Sequence, residues 1–195
     1  MNKNRLEAFS DGVLAIVITI MVLELRVPEE PTWHGLGAVL PTFFSYLLSF
    51  VYVGIYWNNH HHMMQLADRV NGRILWANLH LLFWLSLFPF STRWVDESGF
   101  VQVPVLVYGI NLLCAGIAYY ILQQSLIRQQ GREGALAQAV GWDWKGKASP
   151  LIYLAGIGLC IVHPLLGVAV YTVVALIWLA PDRRVEHFVT RAHQG

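Results

Sequence analysis

Five side chains that could do chemistry lie on or beside one short apolar stretch near the start of the chain: Arg5, Ser10, Asp11, Thr19 and Glu24. Ionisable groups at membrane depth are costly and normally face a bundle interior or water. Such groups can clasp helices together or line a path for cations. A second cluster is His60-His61-His62, followed by Met63-Met64. Adjacent histidines on a helix point about 100° apart, so they do not converge on one ion as an i, i+4 pair does. Asp68 is the one carboxylate nearby, and the sequence predicts no metal site. Histidine titrates near neutrality, but nothing in the sequence selects a pH-sensing role. Cys114 and Cys160 both fall inside apolar runs and read as buried free thiols. No Gly-x-Ser-x-Gly, His-Glu-x-x-His, phosphate loop or dinucleotide fingerprint occurs, so the sequence predicts neither an enzyme nor a cofactor.

The elements that must position these groups follow from composition. The chain has 195 residues, 56% hydrophobic and 13% charged. A soluble domain carries roughly 25% charged residues. The low charge excludes disorder and argues against a cytosolic enzyme. A net charge of +1 implies no nucleic-acid partner. Apolar segments fall at 6–25, 36–57, 74–91, 103–123, 150–163 and 165–180, the last two divided at His163-Pro164. The expected fold is all-α, an integral membrane protein of six transmembrane helices in one domain spanning 1–195. The polar stretch 123–147 has apolar spacing suited to a short surface helix.

Basic residues test the count. With the N-terminus inside, eleven of the thirteen Lys and Arg fall in inner segments, leaving only Arg26 and Arg93 outside. That bias predicts six crossings and both termini in the cytoplasm. Five crossings would place Arg183, Arg184 and Arg191 outside. No secretory signal is expected, because Glu24 and Arg26 follow the first apolar run without a small-residue cleavage site.

On the first helix, Gly12, Ile16, Thr19/Ile20, Leu23 and Val27 follow one stripe. In a symmetric oligomer such a stripe would make rings around an axis. Ile16 and Leu23 would be apolar constrictions that gate by dewetting, and Thr19 would offer hydroxyls to a partly dehydrated ion. The same spacing also serves simple helix packing, and spacing alone leaves both readings open.

Arg5-x-x-x-Phe9-Ser10-Asp11-Gly12, followed by Ala15-Ile16-x-Ile18-Thr19, resembles the signature of the transmembrane protein 175 family of potassium channels. Tyr56-Trp57-x-x-His60-His61 and Trp76-x-Asn78-x-x-x-Leu82, then Ser86-Leu87-x-Pro89-Phe90-Ser91-Thr92, are similar to its second and third segments. The specific likeness covers roughly the first half of the chain and is to the short prokaryotic branch. It implies a homotetramer in the prokaryotic plasma membrane whose first helix lines a central pore. Potassium would be the permeant ion, with no cofactor. The constriction isoleucine of the family falls on Ile16, its pore threonine on Thr19, and further pore positions on Ile20 and Leu23. The resemblance also implies a packing network behind the pore helix, built from Arg5, Phe9, Ser10 and Asp11. The expected partners are Trp57, His60, His61 and Asn78. Glu24, Glu29 and Glu30 at the outer end would form either a cation-concentrating vestibule or an ordinary solvated loop. The competing function is a proton- or cation-coupled secondary transporter, which ordinarily shows repeat symmetry and broken helices at the midplane.

Overall fold

In a computed structural model, residues 3–67, 69–131, 133–141 and 143–179 are described, and among them the chain is helical without strands. The helices are α1 (Lys3–Leu23), α2 (Trp33–Ala38), α3 (Leu40–Gln65), α4 (Gly72–Ser86) and α5 (Phe88–Glu97). They continue with α6 (Gln102–Gln130), α7 (Ala135–Val140), α8 (Trp144–Val162) and α9 (Pro164–Leu179). Five stretches are long and apolar enough to cross a membrane: α1, α3, the α4–α5 unit, α6 and α8. The sixth apolar segment, α9, is shorter at 16 residues.

Local chemistry sets the boundaries. The side chain of Asn71 accepts from the Ile74 amide at 3.0 Å and starts α4. Asp143 does the same for α8, accepting from Gly146 at 2.8 Å. His163 is extended, as a residue before proline prefers, and Pro164 opens α9. The break expected at His163-Pro164 is therefore present, and α8 and α9 pack against each other.

Several expected boundaries shift. The third segment does not stop at 91: α4 ends at Ser86, and α5 restarts with Pro89 in its first turn and runs to Glu97. A proline in the first turn needs no amide partner, so the interruption is mild. The second segment starts later than 36, because a separate turn of helix, α2, precedes it, and it ends later, at Gln65. The fourth reaches Gln130 and the fifth begins at Trp144, absorbing much of the polar stretch. The surface helix expected there is α7, with Leu136 and Ala139 buried. The expected end of the sixth segment, Ala180, lies outside the described residues.

α6 lies at the centre, packed on α4, α5, α8 and α9. α1 lies at the edge and touches α3, α4 and α5. Between lipid-facing helices the hydrophobic effect supplies little attraction, so small residues and close approach matter. Gly109 on α6 and Gly156 on α8 flank the buried ring of Tyr171 on α9. A Cβ at Gly109 would overlap the Tyr171 hydroxyl, and one at Gly156 would come within 2.7 Å of Cε1. Gly109→Val is expected to destabilise the bundle by about 1–3 kcal/mol through overpacking, read as a lowered unfolding midpoint in detergent. Tyr171→Phe is expected to be nearly neutral, because that hydroxyl is buried without a hydrogen-bond partner.

Candidate functional site

The two faces of α1 differ sharply. Leu6, Ser10, Leu14, Val17 and Met21 follow the i, i+4, i+7 rhythm and are buried. The opposite face turns outward from the bundle: Phe9, Gly12, Ile16, Thr19, Ile20 and Leu23 are all exposed, Ile16 at 59% and Leu23 at 81%. This outward set contains the stripe read from spacing up to Leu23; its last position, Val27, is exposed but lies beyond the end of α1. Thr19 keeps its hydroxyl occupied by donating to the Ile16 carbonyl at 2.9 Å.

Behind this face, α1 and the antiparallel α3 are joined by three polar rungs. Lys3 Nζ donates to the Gln65 carbonyl at 3.3 Å. Glu7 Oε1 meets His61 Nδ1 at 3.0 Å. Asp11 Oδ1 accepts from Trp57 Nε1 at 3.0 Å. Each step of four residues up α1 is matched by four down α3, the register two antiparallel helices share when one face of each meets the other. Gln65 Nε2 also lies 2.8 Å from His61 Nε2, and the His61 and Trp57 rings stack at 6.0 Å.

A second, fully buried chain runs deeper. Ser10 Oγ donates to the Leu6 carbonyl at 2.8 Å and accepts from Asn78 Nδ2 at 2.9 Å. Asn78 Oδ1 lies 2.8 Å from His60 Nε2. Ser10, Asn78 and His60 expose 1% or less of their surface. This chain fastens α1 to α4 and α3 at one height.

The structure therefore brings together Ser10, Asp11, Trp57, His60 and Asn78. Arg5 and Phe9 stand apart. Both are exposed on α1, and no ion pair joins Arg5 to Asp11 among the described residues. Six residues along a helix turn through about 600°, so the two side chains point well apart. Glu7 is the residue sequence reasoning overlooked; its signal was its spacing of four from both Lys3 and Asp11. No group of three or more metal-ligating side chains converges among the described residues.

At the other end of α1, Glu24 is not free to act as vestibule charge. Arg93 on α5 binds Glu24 at 2.6 Å and Glu97 at 3.0 Å, and Glu97 also accepts from Arg26 at 2.9 Å. Both arginines assigned to the outer side are thus paired with carboxylates. Glu29 and Glu30 remain exposed in the loop.

Apolar helices long enough to span a bilayer, with buried polar groups bonded between them, define a polytopic helical membrane protein, and comparison with known proteins narrows the class. The family profile described as "Endosomal/lysosomal potassium channel TMEM175" matches residues 5–89. A protein named potassium channel, from Chryseobacterium sp. (strain P1-3), is 54% identical over 95% of this chain and 97% of its own length. A crystal structure titled as a lysosomal potassium-selective channel TMEM175 homolog from Chamaesiphon minutus superposes with a TM-score of 0.75. It is 28% identical and covers 91% of this chain and 96% of that one. The mouse endosomal/lysosomal proton channel TMEM175 is 40% identical over 53% of this chain, which corresponds to 23% of its own length. The chain belongs to the TMEM175 family, a family of channels and not of enzymes.

The two sets of polar contacts should respond differently to substitution. Asn78→Leu strands His60 without its partner and leaves Ser10 only its bond to the Leu6 carbonyl, and a buried group left unsatisfied costs about 1–3 kcal/mol. Asp11→Asn keeps an acceptor for Trp57 at a half-exposed position. Asn78→Leu is expected to lower the unfolding midpoint and the yield of assembled protein markedly, and Asp11→Asn only slightly, measured side by side by thermal unfolding and size-exclusion chromatography.

Proposed function

We propose that this chain is a potassium-preferring cation channel that conducts passively through a homotetrameric pore. Each subunit is one domain of six transmembrane helices in the prokaryotic plasma membrane, with both termini cytoplasmic. The exposed face of α1 lines the axis. Ile16 forms the narrow apolar ring, Thr19 offers oxygen to a partly dehydrated ion, and Ile20 and Leu23 extend the lining. Selectivity comes from fit and partial dehydration at Ile16 and Thr19. The contacts of Ser10, Asp11, Trp57, His60 and Asn78 hold α1 in register and take no part in binding ions.

The observation that carries this reading is the orientation of α1. A membrane helix at the edge of its subunit exposes a column of Gly12, Ile16, Thr19, Ile20 and Leu23, while Ser10 and Asp11 are bonded inward. Further support comes from relatives that are named potassium channels, one of them nearly full-length. The basic residues clustered on one side favour the inside orientation of both termini.

Flux and bilayer recordings of purified protein in liposomes test the proposal. Unitary currents that need no coupled ion, with reversal potentials favouring potassium over sodium, are expected. A saturable flux locked to a proton gradient would indicate a transporter instead. Replacing Ile16 with Asn should hydrate the ring and raise relative sodium permeability several-fold. Unchanged permeability would count against Ile16 lining the path.

A further inference from the structure

Away from α1, a small cavity opens inside the subunit between α3, α6, α8 and α9. Its volume is about 40 Å³, room for a few waters or for a single ammonium group whose chain extends out of the cavity. The walls are rich in aromatic rings: Tyr56, Tyr119, Tyr153 and Trp178 all line it. Polar groups interrupt them: Asn59 and Ser149, each hydrogen-bonded within the bundle, and Gln123 and Asp143. Gln123 is 95% buried, and its amide oxygen has no hydrogen-bond partner. A second cavity of similar size shares Tyr119, Gln123, Asp143 and Trp178. A third and wider one, about 370 Å³, reaches Asp143 from the side of α7 and Lys147. Asp143 is thus common to all three.

Such a lining has a definite chemical preference. Tyrosine and tryptophan faces attract cations that carry little hydration, which favours organic ammonium groups over metal ions. A carboxylate at the mouth adds attraction, and an unpaired amide supplies a hydrogen-bonding group. The chain itself shows the preference at the edge of the cavity. Lys145 places its own ammonium 6.0 Å from the centre of the Trp178 ring and donates to the Ile177 carbonyl at 3.2 Å.

We propose that each subunit carries a site for a small organic ammonium group, off the first helix, between Tyr56, Tyr119, Tyr153 and Trp178 with Gln123 and Asp143 as its polar partners. The ammonium belongs either to a free amine or to the head group of a lipid such as phosphatidylethanolamine. The site does not depend on which ion the protein conducts or on which residues line the pore.

Asp143→Asn makes a clean probe, because asparagine also caps helices well and so keeps the start of α8 while removing the charge. Gly116→Ala is a second, independent one. Its added methyl would enter the cavity wall at an ordinary 3.7 Å from Tyr153 and Tyr56, so the fold tolerates it. Unfolding midpoints of delipidated protein are measured with butylammonium chloride, with potassium chloride at equal ionic strength, and with butanol. Butylammonium at about ten times its dissociation constant is expected to raise the midpoint by about 3 °C, with neither control doing so. Both variants should lose most of that rise, and Ile16→Asn should retain it. Repetition in bilayers identifies the source. If phosphatidylethanolamine abolishes the butylammonium effect and phosphatidylglycerol does not, the lipid head group fills the site; if neither does, free amine is the occupant. A rise that butanol matches, that persists in both variants, or that Ile16→Asn abolishes would overturn the proposal, as would no rise at all.

Discussion

The structure hinges on how α1 is held. Lipid gives apolar helices little reason to prefer one rotation over another, since hydrocarbon solvates any apolar face. Polar side chains do have a preference, because nothing in the bilayer core can satisfy them. The Lys3–Gln65, Glu7–His61 and Asp11–Trp57 rungs, with the Ser10–Asn78–His60 chain behind them, set that rotation. Once it is set, the outward position of Ile16, Thr19, Ile20 and Leu23 follows from helical geometry alone. The half of α1 that looks interesting for function is thereby positioned by the half that does not.

Small residues do the same work elsewhere with shape instead of polarity. Tyr171 fits between Gly109 and Gly156, and Tyr52 donates to the Tyr171 carbonyl at 2.5 Å. Further out, Ser49 joins Thr92 and Tyr108 at 2.6 and 2.9 Å, linking α3, α5 and α6. The core of the bundle is thus stitched by hydroxyls whose partners lie far apart in the chain.

Much of this was legible in the sequence, and the limits have physical causes. Hydropathy located the apolar segments, and His163-Pro164 located the hairpin, because proline constrains its own backbone and that of its predecessor. The stripe on α1 was legible because period alone defines it. The extension of the third segment to Glu97 was not, since Ser91, Thr92, Arg93 and Asp96 make α5 too polar to read as membrane helix. Arg5 and Asp11 share a motif but not a helix face, because six residues turn the helix through about 600°. Glu7 and His61 needed the α1–α3 register, which no single-segment pattern contains. The aromatic cavity was invisible for the same reason, being assembled from four helices.

The outer end of α1 completes a mechanical picture. Glu24 is held by Arg93, so α1 is fastened near its beginning, in its lower half and again at its far end. A rod pinned at three heights cannot spin or slide on its own without breaking several bonds at once. It can only lean together with α3, α4 and α5, like one stave of a cask. In the homotetramer proposed above, any change in the width between neighbouring α1 helices would then be a change in tilt of whole subunits, and its leverage would be greatest at the end farthest from the pivot.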